Sequence, residues 1–349
     1  MKHTKLAIAL LVAFSGAVQA SGVNFSQISA GTVTNLTISQ TGTGKSRISS
    51  GNALTSTQGD VVSNTSARGV SFSEAAEGTG DFVHRGALTT LSLTQVTSSA
   101  NGESDNNENT ITGQVNTNAG SVTVAQTGDA NALDLVVGAS DGYMTSSTVA
   151  ITQTGNDNQV ELTRTGGGTH TDTITLLGNS NAVKVTGTSA ASTSSTLSIV
   201  TGAGSDLNQI TASQAGSGAN LGVTLAADSD SNILDLTQNA ASTALTLTLN
   251  GDTNHVFTSQ TGASSQATLN ITGSLNKVDV SQSGAGANSI LTLSGSSNDI
   301  GITQSGASAY ANLNISSTSA TVAVTQSTAS ASYTYAGAVP TGGSITVTQ

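Results

Sequence analysis

Residue types that stabilise many small secreted proteins are rare or absent in this chain of 349 residues. It has no cysteine, which excludes disulfides, thiolate metal sites and cysteine nucleophiles. Pro340 is the one proline, so almost every backbone N–H can join a strand ladder. Charged residues make up 8% of the chain and aromatic residues 3%. Order must therefore come from its small polar and aliphatic residues.

The few charges are mostly acidic. The chain has 20 Asp and Glu residues against 9 Lys and Arg residues, and its formal net charge is −11. Such a balance disfavours nucleic acid and anionic membrane surfaces as partners. No segment after residue 20 approaches the run of about 18 apolar residues that a membrane helix needs. We therefore expect a protein that binds no nucleic acid and does not insert into a membrane.

Residues 1–20 have the pattern of a secretory leader. Lys2 and Lys5 come before an apolar run over residues 6–14, and small residues lead up to Ala20. A basic start, a short apolar run and a small-residue end are typical of a cleaved signal peptide. We predict cleavage before Ser21 and an extracellular, secreted mature protein.

A repeat of 22 residues runs through the C-terminal part of the chain. Three residue types recur at this interval: Gln238, Gln260, Gln282, Gln304 and Gln326; Asn232, Asn254, Asn276 and Asn298; and Gly251, Gly273 and Gly295. A period this regular indicates stacked equivalent units and disfavours a globular enzyme.

Within each repeat the residues alternate as in a β-strand. Asn276, Val278, Val280 and Gln282 occupy every second position, which places them on one face. A buried glutamine amide is costly unless it is paired, and amides stacked one above another can pair along the stacking axis. The sequence therefore predicts an all-β fold, a β-solenoid of stacked strand–turn–strand coils with internal Gln and Asn ladders.

The repeat divides the chain after the leader into two segments. Residues 21–120 keep the period poorly and form a cap, a docking segment or a partly disordered region. Residues 121–349 carry the repeats, loosely spaced at first and regular from about residue 232. The looser part contributes Gln126, Gln153, Asn131, Asn158 and Asn181 to the ladders and Gly128, Gly155 and Gly178 to the turns. The last strand, with Ile345, Val347 and Gln349, is a candidate polymerisation edge because an uncovered strand can pair with another chain.

No arrangement typical of catalysis stands out. The histidines after the leader, His84, His170 and His255, have no cysteine to complete a metal site, and the carboxylates are scattered. An acidic stretch around Asp105 offers oxygens to calcium, but it lacks the required glycine and glutamate spacing, which favours a solvated loop. We predict no enzyme, no cofactor and no metal site.

The repeat resembles the curlin repeat, whose pattern is Ser-x5-Gln-x-Gly-x-x-Asn-x-Ala-x3-Gln. One unit matches it in order through Ser147, Gln153, Gly155, Asn158 and Val160, with Arg164 where the final Gln would stand, and another through Gln126, Gly128, Asn131 and Leu133. Later units match the second half, as in Gly273, Asn276, Val278 and Gln282, with Ile271 in place of the first Gln. The resemblance covers about two-thirds of the chain, which is longer than a typical curlin.

This resemblance implies a subunit of curli-type fibres. Such a subunit is exported by dedicated secretion machinery, assembles outside the cell with itself or with a related subunit as functional amyloid, and supports adhesion and the biofilm matrix.

Two other functions stay open on the sequence alone. A monomeric solenoid that acts as an adhesin or an ice-binding protein is suggested by threonines expected to face outward, namely Thr246, Thr248, Thr268 and Thr272. A polysaccharide-cleaving β-helix enzyme is the third alternative, although its carboxylates would be expected to cluster on one face.

Overall fold

The structure is a computed structural model of the chain, and it falls into two compact units, Met1–Gly178 (unit 1) and Asn179–Gln349 (unit 2). The residues it describes are 9–15, 21–24, 33–42, 46–49, 70–71, 88–97, 108–115, 119–127, 130–138, 146–154, 159–165, 168–177, 180–187, 192–201, 207–215, 217–225, 229–239, 242–261, 264–273, 275–283, 285–305, 308–327, 330–337 and 343–349. Each unit is described by itself below.

Every regular element among these residues is a β-strand. Unit 1 contains β1 (Ala9–Ser15), β2 (Ser21–Asn24), β3 (Val33–Gly42), β4 (Ser46–Ser49), β5 (Val70–Ser71), β6 (Leu88–Thr97), β7 (Glu108–Val115), β8 (Ala119–Thr127), β9 (Ala130–Gly138), β10 (Ser146–Thr154), β11 (Gln159–Thr165) and β12 (Gly168–Leu177). Unit 2 contains β13 (Ser180–Gly187), β14 (Ser192–Thr201), β15 (Leu207–Ala215), β16 (Ala219–Thr224), β17 (Ser229–Asn239), β18 (Ser242–Gln260), β19 (Ser264–Gly273), β20 (Leu275–Gln282), β21 (Asn288–Gly295), β22 (Asn298–Gln304), β23 (Tyr310–Ser317), β24 (Ala320–Gln326), β25 (Ser332–Ala336) and β26 (Ser344–Thr348).

The strands of each unit form two parallel sheets, here called sheet A and sheet B. In unit 2 the chain alternates between them, so that β19, β21, β23 and β25 stack in sheet A while β20, β22, β24 and β26 stack in sheet B. Each pair of consecutive strands is one coil of the solenoid. Because parallel neighbours are in register, each residue lies above its equivalent in the next coil, as Gln260 lies above Gln282.

The interval between equivalent residues changes along the chain. It is 27 residues between Gln126 and Gln153 and 24 between Asn208 and Asn232. From β17 it is 22 residues, as between Gln238 and Gln260, and the last step of sheet B is again longer, at 23. The extra residues lie between strands, so coil length varies without breaking the register of the inward side chains.

The core consists of aliphatic columns between the two sheets. Leu247, Leu269, Leu291 and Leu313 stack in sheet A, and Val256, Val278, Ile300 and Val322 stack in sheet B; all are at most 1% exposed. Each such side chain contributes about 1.5–3 kcal/mol of hydrophobic stabilisation when buried. The prediction of an all-β solenoid with inward-facing alternate residues is confirmed.

Two glycines show how the chain turns from one sheet to the other. Gly251 was expected at a turn, but it lies inside the continuous strand β18, whose first part pairs in sheet A and whose second part pairs in sheet B. The pairing in sheet A ends at Asn250 and that with β20 in sheet B begins at Thr253, so the strand changes sheet around this glycine, whose backbone is the least restricted of any residue. Gly295 ends β21 with a φ of 149°, and a Cβ there would overlap the carbonyl oxygen of Gly273. This corner therefore requires glycine.

Strand pairing extends to the N-terminal side of residue 121, where the repeats were predicted to begin. β6 pairs in register with β8, and β3 pairs with β6. β1 lies within the predicted leader and pairs with β3, so the predicted cleavage before Ser21 would remove this strand. None of the described residues forms a helix long and apolar enough to cross a membrane.

Candidate functional site

Unit 2 contains a continuous ladder of buried glutamine side chains at the ends of the sheet B strands. The amide Nε2 of each glutamine donates to the Oε1 of the next one, at 3.2 Å from Gln214 to Gln238 and at 2.9–3.0 Å along Gln238, Gln260, Gln282, Gln304 and Gln326. The five glutamines predicted here are all 0% exposed. Stacking thus satisfies a group that would be costly to bury alone.

The direction of this ladder is fixed by the backbone. The second N–H of Gln260 donates to the carbonyl oxygen of Gln266 at 3.0 Å, and Gln214 does the same to Asn220 at 3.2 Å. Rotating either amide would place its Oε1 against a carbonyl oxygen, which repels it. Every rung therefore points its donor toward the C-terminus. At the N-terminal end, the Oε1 of Gln214 accepts a hydrogen bond from the hydroxyl of Ser195 at 2.9 Å.

A second ladder of asparagines begins the same sheet B strands. Asn208 donates to Asn181 at 3.0 Å, Asn232 to Asn208 at 2.7 Å, and Asn254 to Asn232 at 2.5 Å. Asn276 donates to Asn298 at 2.7 Å and to the carbonyl oxygen of Gly273 at 2.9 Å. The ladder ends at Asn298 because Ala320 occupies the next rung.

Unit 1 contains its own pair of buried glutamines. Gln126 and Gln153 lie on β8 and β10 of sheet A, and Nε2 of Gln153 donates to Oε1 of Gln126 at 2.6 Å. The rung after Gln153 is Leu176, and Oε1 of Gln153 is buried without a hydrogen-bond partner. The bonded pair of Gln126 and Gln153 therefore does not continue to the next coil of unit 1.

A buried charged network in unit 1 was not foreseen from the sequence. Arg164 of β11 reaches across the core, pairs through two nitrogens with the carboxylate of Asp172 on β12, and donates to the hydroxyl of Ser147 at 2.8 Å. The hydroxyl of Ser147 also lies 3.1 Å from Nδ1 of His170. All four side chains are at most 5% exposed. A substrate cannot reach Ser147 there, so the serine and histidine hold the core together and do not form a catalytic pair.

The sequence did contain a signal for this network. Arg164 stands where the curlin pattern has its final Gln, and His170 and Asp172 share the inward alternation of Ile174 and Leu176. Arg164, His170 and Asp172 all occupy inward-facing positions on two consecutive strands, and this pattern predicts that their side chains contact each other in the core.

The remaining predicted turn and ladder residues lie at strand ends, within a strand or outside the described residues. Gly273 and Gly295 end their strands, as expected for corner residues. The backbone of Asn131 pairs with Asn109 in sheet B. Asn158, Gly128, Gly155 and Gly178, together with Asp105 of the acidic stretch that was expected to be a solvated loop, lie outside the described residues.

The C-terminal coil leaves inward-facing side chains uncovered. In β26, Ile345 is half-buried and Val347 is 38% exposed, although both continue the inward column of Val322 and Val324. In β25, Tyr333 and Tyr335 occupy the positions of Ala311 and Leu313 and are half-buried. Burial raises the pKa of Tyr333, and the neighbouring Tyr335 raises it further. The core is therefore open at this end.

The glutamine ladder also ends open at this coil. Gln326 is 0% exposed, yet its Nε2 has no hydrogen-bond partner. Thr325 pairs with Thr348, which places Gln349 in the next rung, where it is exposed. An unpaired buried donor costs about 1–3 kcal/mol, so an acceptor supplied at this rung is stabilising.

No charged residue follows Asp299 in the sequence, so the coils nearest this end lack the charges that usually protect sheet edges. Among the described residues, no group of three or more His, Asp or Glu side chains lies close enough to hold a metal ion. Comparisons with protein-family models, with curated proteins and with solved structures find no match to this chain.

Proposed function

We propose that this protein is a secreted structural subunit that assembles into curli-like extracellular fibres and so supports adhesion and the biofilm matrix. It is exported with a cleaved leader through dedicated secretion machinery and polymerises with itself or with a related subunit. The observation that carries the proposal is the open C-terminal end of the solenoid.

The chemistry of that end favours another β-coil as its occupant. A further parallel strand would pair with the free backbone edge of β26 and bury Val347 and Ile345, each worth about 1.5–3 kcal/mol when fully covered. It would also hold Gln349 in its rung, where the Oε1 of that residue can accept a hydrogen bond from Nε2 of Gln326. A helical or irregular surface lacks the repeated backbone groups that this edge can bind.

The test uses the chain without residues 1–20. We expect it to form fibres that bind thioflavin and give the strand-spacing reflection at about 4.7–4.9 Å. Val347→Asn should slow fibre growth at least about tenfold, because it leaves a polar amide in the apolar contact and costs about 1.4 kcal/mol or more. Thr346→Asn is the matched control, because Thr346 is the exposed neighbour on the outer face of the same strand. Equal growth of the two variants, or a wild-type chain that stays monomeric, would contradict the proposal.

A monomeric adhesin is the second candidate, and the tyrosines of β25 favour it. Tyr333 and Tyr335 place large rings over the end of the core and partly cover it, although the hydroxyl of Tyr333 is buried without a hydrogen-bond partner. A chain that binds a surface while sedimenting as a monomer at every concentration would establish this alternative.

A further inference from the structure

In the described strands of unit 2, the Lys, Asp and His residues all lie in one of its two sheets. Of the ten Lys, Asp and His residues in 179–349, eight lie on sheet B strands: Lys184, Asp230, Asp235, Asp252, His255, Lys277, Asp279 and Asp299. The other two, Asp206 and Asp228, lie outside the described residues. The sheet A strands contain none.

The outer face of sheet A is consequently a neutral surface of regular columns. Thr246, Thr268, Ile290 and Asn312 stand in register in one column, and Ile290 is 38% exposed. Thr248, Asn270, Thr292 and Asn314 form the next column. Columns of this kind repeat at about 4.7–4.9 Å along the stack, the spacing at which flat sheets interdigitate.

The outer face of sheet B differs in charge. Asp235, Asp279 and Asp299 lie on it, with Lys277 as a nearby cation that pairs with Asp279 at 3.7 Å. Its exposed apolar residue, Ile233, is two positions from Asp235 on the same strand. Covering this face removes carboxylates from water, and that costs free energy unless each gains a cation.

We infer that the outer face of sheet A in unit 2 packs against the same face of a second copy, so that two stacks of subunits associate side by side. The electrostatics select this pairing. Bringing two B faces together opposes aspartates of an acidic chain, and bringing a B face onto an A face desolvates those aspartates against neutral side chains. Only the pairing of two A faces buries no charge from the described strands. This inference rests on the proposed fibre, and it specifies which face joins one stack to another.

The test places a charge on one face at a time in chains that form fibres. Thr268→Asp puts a carboxylate on the exposed outer face of sheet A, between Thr246 and Ile290. Ser281→Asp puts the same charge at an exposed position of sheet B. We expect the first variant to form single stacks with about half the wild-type mass per length, while the reflection at about 10 Å persists because sheets A and B of one subunit also pack at that spacing. The Ser281→Asp fibres should keep the wild-type mass per length.

A charge-swap mixture gives an independent readout. Thr268→Lys alone should also give single stacks, and mixing it with Thr268→Asp should restore paired stacks, because opposite charges then meet across the interface. If the Thr268→Asp chain does not form fibres alone, it can be mixed as a minority with the wild-type chain. The fraction of paired stacks should then fall as the fraction of the variant in the mixture rises. Unchanged mass per length in the Thr268 variants, with a reduction in Ser281→Asp, would overturn the inference while leaving the fibre intact. An absence of fibres from the wild-type chain would instead contradict the proposed function.

Discussion

Units 1 and 2 both contain stacked glutamines but differ in their other buried polar groups. The core of unit 1 contains the ion pair of Arg164 and Asp172, and Arg164 also donates to Ser147, so the network joins three different strands. The core of unit 2 contains neutral amides that bond to copies of themselves, as Gln282 bonds to Gln304. A ladder of identical groups can be extended by any further coil with the same residue. The charged network cannot be extended in this way, because its groups bond to one another and not to copies of themselves in the next coil. Unit 2 therefore has the more extendable core.

The largest expected effect separates the two cores directly. Arg164→Met leaves the Asp172 carboxylate buried without its cation, which should destabilise unit 1 by about 3–5 kcal/mol. Hydrogen exchange should rise in β10–β12 and stay slow in β19–β24. The exposed pair of Lys277 and Asp279 supplies the control, because Lys277→Ala should cost less than about 1 kcal/mol. Replacing both partners, with Arg164→Met and Asp172→Leu, should recover most of the loss; a failure to recover would show that the ion pair is not the cause.

The second prediction concerns the corner that unit 2 depends on. Gly295→Ala introduces a Cβ that overlaps the carbonyl oxygen of Gly273 at a φ that favours glycine, and should cost on the order of 3 kcal/mol in urea unfolding. Gly222→Ala is the matched change, because a Cβ there has nothing nearer than 4.0 Å. It should be neutral or stabilising by up to about 1 kcal/mol. Similar midpoints for the two variants would contradict the role assigned to Gly295.

The smallest effect distinguishes the middle of the ladder from its end. Gln282→Leu removes bonds to both Gln260 and Gln304, and should cost about 1–3 kcal/mol. The loss is moderated because Gln260 keeps its bond to the carbonyl of Gln266. Gln326→Leu removes one ladder bond together with a donor that has no partner, so it should cost less. Equal losses at the two positions would mean that the ladder is not stabilised by the bonds between its rungs.

Much of the fold was predictable because the relevant signals are local. Alternation at every second residue gave the strands and their inward faces, and the constant interval from Asn232 onward gave the register. The corner at Gly251 was less predictable. A glycine at a repeat boundary is compatible with either a turn or a bent strand, and pairing with the coils on both sides favours the strand.

The candidate site was predictable in part. Ile345, Val347 and Gln349 follow from the strand pattern alone, but the unpaired Nε2 of Gln326 depends on the direction of the amide ladder. The network around Arg164 depends on which strands face each other across the core. Neither can be read from the period.

The sequence by itself determined the period, the alternation and the residue types that stack, because these are set by the two-residue geometry of the strand and by the cost of burying an unpaired amide. Only the tertiary structure decided which columns share a sheet, so that in unit 2 the column of Gln282 and the charged residues of the described strands lie in the same sheet. The reason is physical. A strand specifies its own two faces, but the neighbours of each face are set by the corners and the loops between coils, whose lengths vary from one coil to the next.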